Sequence, residues 1–231
     1  MDKISKLYYI NLDRKPERNK HVLQQCSDAN IPSDKIQRFV ALDGETHPFT
    51  SEELAMFSNC DFKHCEFFKR IAGNQLSHYY ILMDMIKNHY EYVLICQDDV
   101  IFREGFLKEL ELVVTNIPSD AEIINIGMHK HAVYSSFVPW DFNQREDDTT
   151  IVKTIVNDGV CILTDETNPC SLAYIVTSAG AINLIMHFQM TGFLRATDCN
   201  YNDYLIGKNI FYGSRTVLCT GNHLFPSDIF L

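Results

Sequence analysis

Apolar and polar positions along this chain fall into blocks whose spacing changes from strand-like to helix-like and back. Lys6 to Leu12 is a short, mostly apolar run and predicts a first strand. Pro16 stands at the head of a mixed stretch reaching Asp28, with Glu17 in its first turn, which predicts a helix with a favourable dipole partner. Ile36 to Leu42 predicts a second strand, stopped by Asp43-Gly44. Thr50-Ser51-Glu52-Glu53 has capping-box spacing and should open a short helix. Beyond Gly73 a longer helix is expected, with Leu76, Tyr80, Met83 and Lys87 on one face. Tyr92 to Phe102 is a buried-strand pattern interrupted by two adjacent acids, Asp98 and Asp99. Gly105 to about Ile117 predicts a helix closed by Pro118, and Glu122 to Ile126 a fourth strand. Later, Ala173 to Val176 reads as a strand and Ser178 as the N-cap of a helix through Met190.

This alternation predicts an α/β fold, a Rossmann-like mixed sheet flanked by helices. His129 to Asp158 shows no convincing period, carries the acidic run Glu146-Asp147-Asp148, and is long for a plain connection. With no repeat, low-complexity tract or Pro/Gly-rich linker, the 231 residues are expected to form one domain.

Composition narrows the partners. The hydrophobic fraction of 46% supplies ample core, and a formal net charge of −10 without a Lys/Arg block argues against nucleic acid. The eight cysteines are scattered with no C-x-x-C pair, and Cys60, His64 and Cys65 lack further zinc ligands at suitable spacing. Met1 to Lys6 leads into a run too short for a signal peptide or membrane span, so a reduced, cytoplasmic compartment is expected; a mature secretory fragment has the same appearance.

Two carboxylates at a strand end are costly to bury unless a cation shares the site. A divalent metal holding a diphosphate answers that need, because hard cations take carboxylate and phosphate oxygens together. A P-loop NTPase is excluded, since Gly207-Lys208 lacks the rest of that motif. An aspartyl-nucleophile phosphatase needs acids at alternate positions, whereas Val100 follows the pair.

The surrounding segments sharpen this. Tyr9-Ile10-Asn11-Leu12-Asp13-Arg14-Lys15-Pro16-Glu17-Arg18, then Arg38-Phe39-Val40-Ala41-Leu42-Asp43-Gly44, then Gly73-Asn74-Gln75-Leu76-Ser77-His78 and the Asp98-Asp99 strand follow in order. With Ser171 to Thr177 and Gly180-Ala181, the set closely resembles glycosyltransferase family 25, which includes lipopolysaccharide and procollagen galactosyltransferases. The resemblance spans about Lys6 to Asp198.

It implies a GT-A-type fold, a UDP-galactose or UDP-glucose donor, and Mn²⁺ (or Mg²⁺) supporting transfer to a hydroxyl. The acceptor is a glycan or a glycosylated, collagen-like protein. On this reading residues 1–128 bind the nucleotide sugar and 129–231 bind the acceptor and close over it. Asn11, Asp13 and Asp43 are the implied base or ribose partners, and Arg14 and Arg18 supply charge near the diphosphate. Ser77 and His78 are expected at a helix start facing an anion. Asp99 is the expected main metal ligand, with Asp98 expected to bridge to ribose or metal-bound water and His223 to complete the shell from a closing loop. Family members carry Glu-Asp-Asp where this chain has Gln97-Asp98-Asp99, so one charge is missing. Asp198 is the expected general base of an inverting displacement, with Asp203 and Asp158 as rivals. Trp140 is a candidate for stacking on a sugar. A retaining glucosyltransferase and a degenerate nucleotide-sugar or glycan-binding module are the alternatives.

Overall fold

A computed structural model describes residues 1–127, 152–164, 171–222, 224, 225 and 227–229. The first strand, β1 (Lys6–Asn11), leads into α1 (Pro16–Asp28), β2 (Ile36–Val40), the short α2 (Ser51–Ala55), α3 (Phe68–Lys87) and β3 (Tyr92–Gln97). Next come β4 (Val100–Phe102), α4 (Phe106–Thr115), β5 (Ile123–Asn125), β6 (Val152–Ile155), β7 (Val160–Leu163) and β8 (Ala173–Thr177). The last described elements are α5 (Ser178–Thr191), α6 (Thr197–Gly207), β9 (Tyr212–Ser214) and β10 (Cys219–Gly221).

Among the described residues, eight strands form one mixed sheet in the order β2-β1-β3-β8-β5-β9-β7-β6, and β10 pairs antiparallel with β4. β1 runs parallel to both β2 and β3, so the carboxyl ends of all three lie on one edge. The chain order reverses across β1, and such a switch point opens a crevice outside the strand ends. The fold is therefore the expected Rossmann-like α/β arrangement. Its centre is strongly apolar: Leu7, Val93, Leu94, Ile95, Ile175 and Val176 are all buried.

Local signals fixed several elements as anticipated. Helix α1 begins at Pro16, whose missing N–H costs nothing there. Thr50 caps α2 with a full capping box: its side chain accepts from Glu53 N–H at 3.1 Å, and Glu53 accepts from Thr50 N–H at 2.8 Å. The N-cap of α5 is Thr177 rather than Ser178, since the Thr177 hydroxyl accepts from Gly180 N–H at 3.0 Å. Asp98 and Asp99 form a turn that breaks the Tyr92–Phe102 run into β3 and β4.

Helix α3 departs from expectation. It starts five residues before Gly73, at Phe68, and Met83 lies 44% exposed while Ile71, Gln75, His78 and Leu82 are buried. The helix packs against α5 and α6 as well as the sheet, which blurs a single-face pattern. Gly73 is needed for close approach, not for a helix start. A Cβ there would lie 2.3 Å from Leu42 O, and one on Gly44 would lie 2.1 Å from Lys69 O. Both obstacles are backbone and cannot swing aside. Gly73→Ala is expected to destabilise the fold by about 1–3 kcal/mol, because overpacking outweighs the improved helix propensity. A lowered urea midpoint checks this.

No helix among the described residues is long and apolar enough to cross a membrane.

Candidate functional site

A cavity of about 340 Å³ opens at the carboxyl ends of β1, β2 and β3. Register sets Ile10 beside Gln97, so the chain leaves the sheet with Asn11 facing the Asp98-Asp99 turn. Asn11 is buried; its Nδ2 donates to Asp98 Oδ2 at 2.7 Å and to Lys15 O at 3.1 Å. Its Oδ1 accepts from Arg38 Nε at 3.0 Å. The amide is thus fully engaged as a strut between strand ends. That geometry corrects the expectation of an open base or ribose partner.

Asp98 is also firmly held. Arg18 Nη1 donates to its Oδ1 at 3.3 Å, completing partners for both oxygens, and the pair is buried. Burial pushes the Asp98 carboxyl up, against the opposing pull of Asn11 and Arg18. Asp99 differs in the way that matters for a metal: its Oδ1 is buried and without a hydrogen-bond partner among the described residues. Burial first, then the neighbouring Asp98 charge, raise its pKa to about 6. The residue as a whole keeps some exposure to the cavity, while this oxygen is sealed from water. A buried acceptor with no donor, next to a second carboxylate, suits a divalent cation. Among the described residues no three His, Cys, Asp or Glu side chains form a metal cluster, so phosphate or water oxygens would complete such a shell. His223 lies outside the described residues, as does Trp140.

Arg14 and Asp43 form one wall. Arg14 Nε donates to Asp43 Oδ2 at 2.6 Å, and Glu45 N–H donates to Asp43 Oδ1 at 3.1 Å. Burial works to raise the Asp43 carboxyl, but these donors outweigh it and hold its pKa below the usual range. Asp13 does not line the cavity; it is exposed and paired with Arg38 at 2.8 Å. Gln97, at the cavity edge, donates from Nε2 to Ser171 Oγ at 3.1 Å.

Ser77 and His78 lie in mid-helix, not at a helix start, and are fully buried. Ser77 Oγ donates to Gly73 O at 2.7 Å and accepts from Leu42 N–H at 2.9 Å. His78 Nδ1 shares a hydrogen bond with the Tyr174 hydroxyl at 2.5 Å, and burial lowers its pKa to about 3. With no exposed helix N-terminus beside them, the anion role loses its geometric basis; both are core residues. A neutral buried histidine makes the fold acid-sensitive. The unfolded chain takes a proton near pH 6.5 that the folded chain refuses until about 3, so stability falls as pH drops through that window. His78→Gln keeps a hydrogen-bonding group but does not titrate, and is expected to remove about 2 kcal/mol of the stability difference between pH 7 and pH 5. Urea unfolding at the two pH values checks it.

Asp198 sits in the first turn of α6, where its Oδ1 accepts from Cys199 N–H at 2.9 Å and burial raises its pKa. It does not line the cavity, but its neighbour Thr197 accepts from Asn74 Nδ2 at 3.0 Å, and Asn74 does. The rivals are surface residues: Asp203 pairs with Arg195 at 3.0 Å, and Asp158 lies 3.8 Å from Arg215 with 89% of its side chain exposed.

The last described segment belongs to the half expected to bind the acceptor and close over the site, but no residue in it other than His223 was singled out from the sequence. Asn222, Phe225 and Asp228 line the cavity together with residues of the first half. Asn222 N–H donates to Asp99 O at 2.6 Å, tying that segment to the acidic turn. Nothing local in Ser227-Asp228 signals this, because its partners lie more than two hundred residues away.

Comparison with known proteins gives one family. The family model for glycosyltransferase family 25 (LPS biosynthesis protein) matches residues 4–200. A search of curated proteins returned no match.

Proposed function

The chain belongs to glycosyltransferase family 25, and from that premise we propose that it transfers galactose or glucose from a UDP-sugar to an acceptor hydroxyl. The acceptor class is a glycan or a (galactosyl)hydroxylysine of a collagen-like protein. The observation carrying this reading is the Asp98-Asp99 turn, at the carboxyl end of β3, in a cavity that also holds Arg14 and Arg18. Acids and guanidinium groups within one crevice suit a metal-bound diphosphate better than a neutral ligand.

In the proposed reaction the acceptor oxygen bonds to the anomeric carbon, the bond from that carbon to the diphosphate oxygen breaks, and UDP departs. Asp99 would hold a Mn²⁺ (or Mg²⁺) ion, with Asp98 oriented beside it by Asn11 and Arg18. The chemistry such an ion supplies is neutralisation of charge on the departing diphosphate. Arg14 contributes further positive charge at the cavity wall. Asp198 is the proposed base that takes the hydroxyl proton, and the Asn74–Thr197 hydrogen bond couples its helix to the donor cavity. The engaged amide of Gln97 orients the strand end through Ser171 without contributing a charge.

The test is UDP release from a panel of UDP-hexoses with Mn²⁺, Mg²⁺ or EDTA, with lipopolysaccharide cores and galactosylated hydroxylysine as acceptors. Metal-dependent release stimulated by one acceptor is the expected result. Tight UDP binding without turnover on any acceptor would favour a binding module instead.

A further inference from the structure

Three cations after β1 converge on one carboxylate from the other end of the described chain. Arg14 Nη1 lies 3.4 Å and Lys15 Nζ 3.2 Å from Asp228 Oδ1, while Arg18 Nη1 lies 3.2 Å from Asp228 Oδ2. Phe225 adds to this contact: the Arg18 guanidinium sits 5.2 Å from its ring centroid, and His21 meets the ring edge-on at 5.2 Å. With the Asn222–Asp99 hydrogen bond, these contacts lay Asn222, Phe225 and Asp228 along the cavity. Asp228 lies beyond residues 4–200, so the family match assigns it nothing.

The arrangement is electrostatically uneven. Asp228 gains three cations but brings a third acid towards Asp98 and Asp99, raising the cost of ionising both. A carboxylate gripped by two guanidinium groups and an ammonium presents anionic acceptor oxygens to them, as a phosphate would with more oxygens and more charge. Arg14 also has Asp43, and Arg18 also has Asp98, so both stay anchored if Asp228 leaves.

We propose that Arg14, Lys15 and Arg18 form a cradle for the diphosphate of the ligand, and that Asp228 competes for the same cations. The Asp228 carboxylate must then yield before a diphosphate can be fully held. This rests on the nucleotide-diphosphate reading of the cavity given above, and it adds Lys15 and Asp228 to that site.

The test is calorimetric titration of UDP, and separately of inorganic pyrophosphate, into the wild type, Asp228→Asn and Asp228→Glu in the presence of Mn²⁺. Removing one competing charge a few ångströms from the ligand is expected to tighten binding of both ligands to Asp228→Asn by about tenfold. Asp228→Glu, which keeps the charge, should stay close to the wild type. Equal UDP affinity in all three proteins, or weaker binding to Asp228→Asn, would overturn the competition while leaving the nucleotide reading intact. Tighter pyrophosphate binding to Asp228→Asn with no UDP binding to any protein would uphold the competition and overturn the nucleotide reading. Binding of neither ligand to any of the three would overturn both.

Discussion

Asp99→Asn is expected to lower turnover by roughly 10²- to 10³-fold, the scale of losing a few kcal/mol of charge stabilisation on a leaving group. The two acids are held in unequal states. Asp98 has both oxygens engaged, by Asn11 and Arg18, whereas Asp99 keeps a buried oxygen with no donor. An amide at position 99 preserves shape but offers a weaker ligand to a divalent cation. The loss should not come from misfolding. With its pKa raised to about 6, Asp99 is still mostly ionised at pH 7 but carries that charge at a greater cost in the fold than in water, so a neutral amide removes a cost. Metal-free urea unfolding at pH 7 should therefore show the variant to be no less stable than the wild type. Turnover close to wild type would remove Asp99 from the metal role.

Arg18→Met is expected to destabilise the metal-free protein by about 3 kcal/mol or more, the usual scale for removing one partner of a buried ion pair. Arg18 is buried, bridges Asp98 and Asp228, and packs against Phe225. Met retains much of the apolar stem but leaves Asp98 buried with only Asn11 as a donor. Two further measurements identify electrostatics as the cause. Adding Asp228→Asn should recover part of the loss, because it lightens the uncompensated acid cluster. Mn²⁺ should stabilise Arg18→Met more than the wild type, since a cation then replaces a missing one. Equal stabilisation of both proteins by Mn²⁺ would argue that Arg18 acts only through packing.

The first half of the fold was legible because its boundaries are written locally. Pro16, the Thr50–Glu53 box and the Asp43-Gly44 stop each act through neighbouring backbone groups. The start of α3 was not, because its N-cap, Phe67, makes no side-chain capping bond. Gly73 looked like punctuation there, but its role is tertiary: it lets α3 touch the backbone after β2. Strands β6, β7, β9 and β10 were missed since each has only three or four residues, too few to establish a period. Helix α6 was missed as well, because it buries polar Thr197, Asn200 and Asn202 and so lacks an apolar stripe.

The site divides in the same way. Asp98 and Asp99 were read as candidates from their place at a strand end, Arg14, Arg18 and Asp43 from the family resemblance, and all five line one cavity. Asn11 was singled out too, but its role as a strut depends on Asp98 and Arg38, which only the folded sheet brings to it. Ser77 and His78 were misread because a misplaced helix start made core residues look like an anion site. Asp228 gave no signal, since a lone acid gains meaning only from the cations it meets in three dimensions.

The central claim is that the β1–β3 crevice binds a nucleotide diphosphate through a metal held at Asp99. Calorimetric titration of UDP into the wild-type protein, once with Mn²⁺ and once with EDTA, tests it most directly. The account predicts binding with Mn²⁺ that weakens at least about tenfold in EDTA, in line with a metal bridging carboxylate and phosphate. Equal UDP affinity under the two conditions would contradict it.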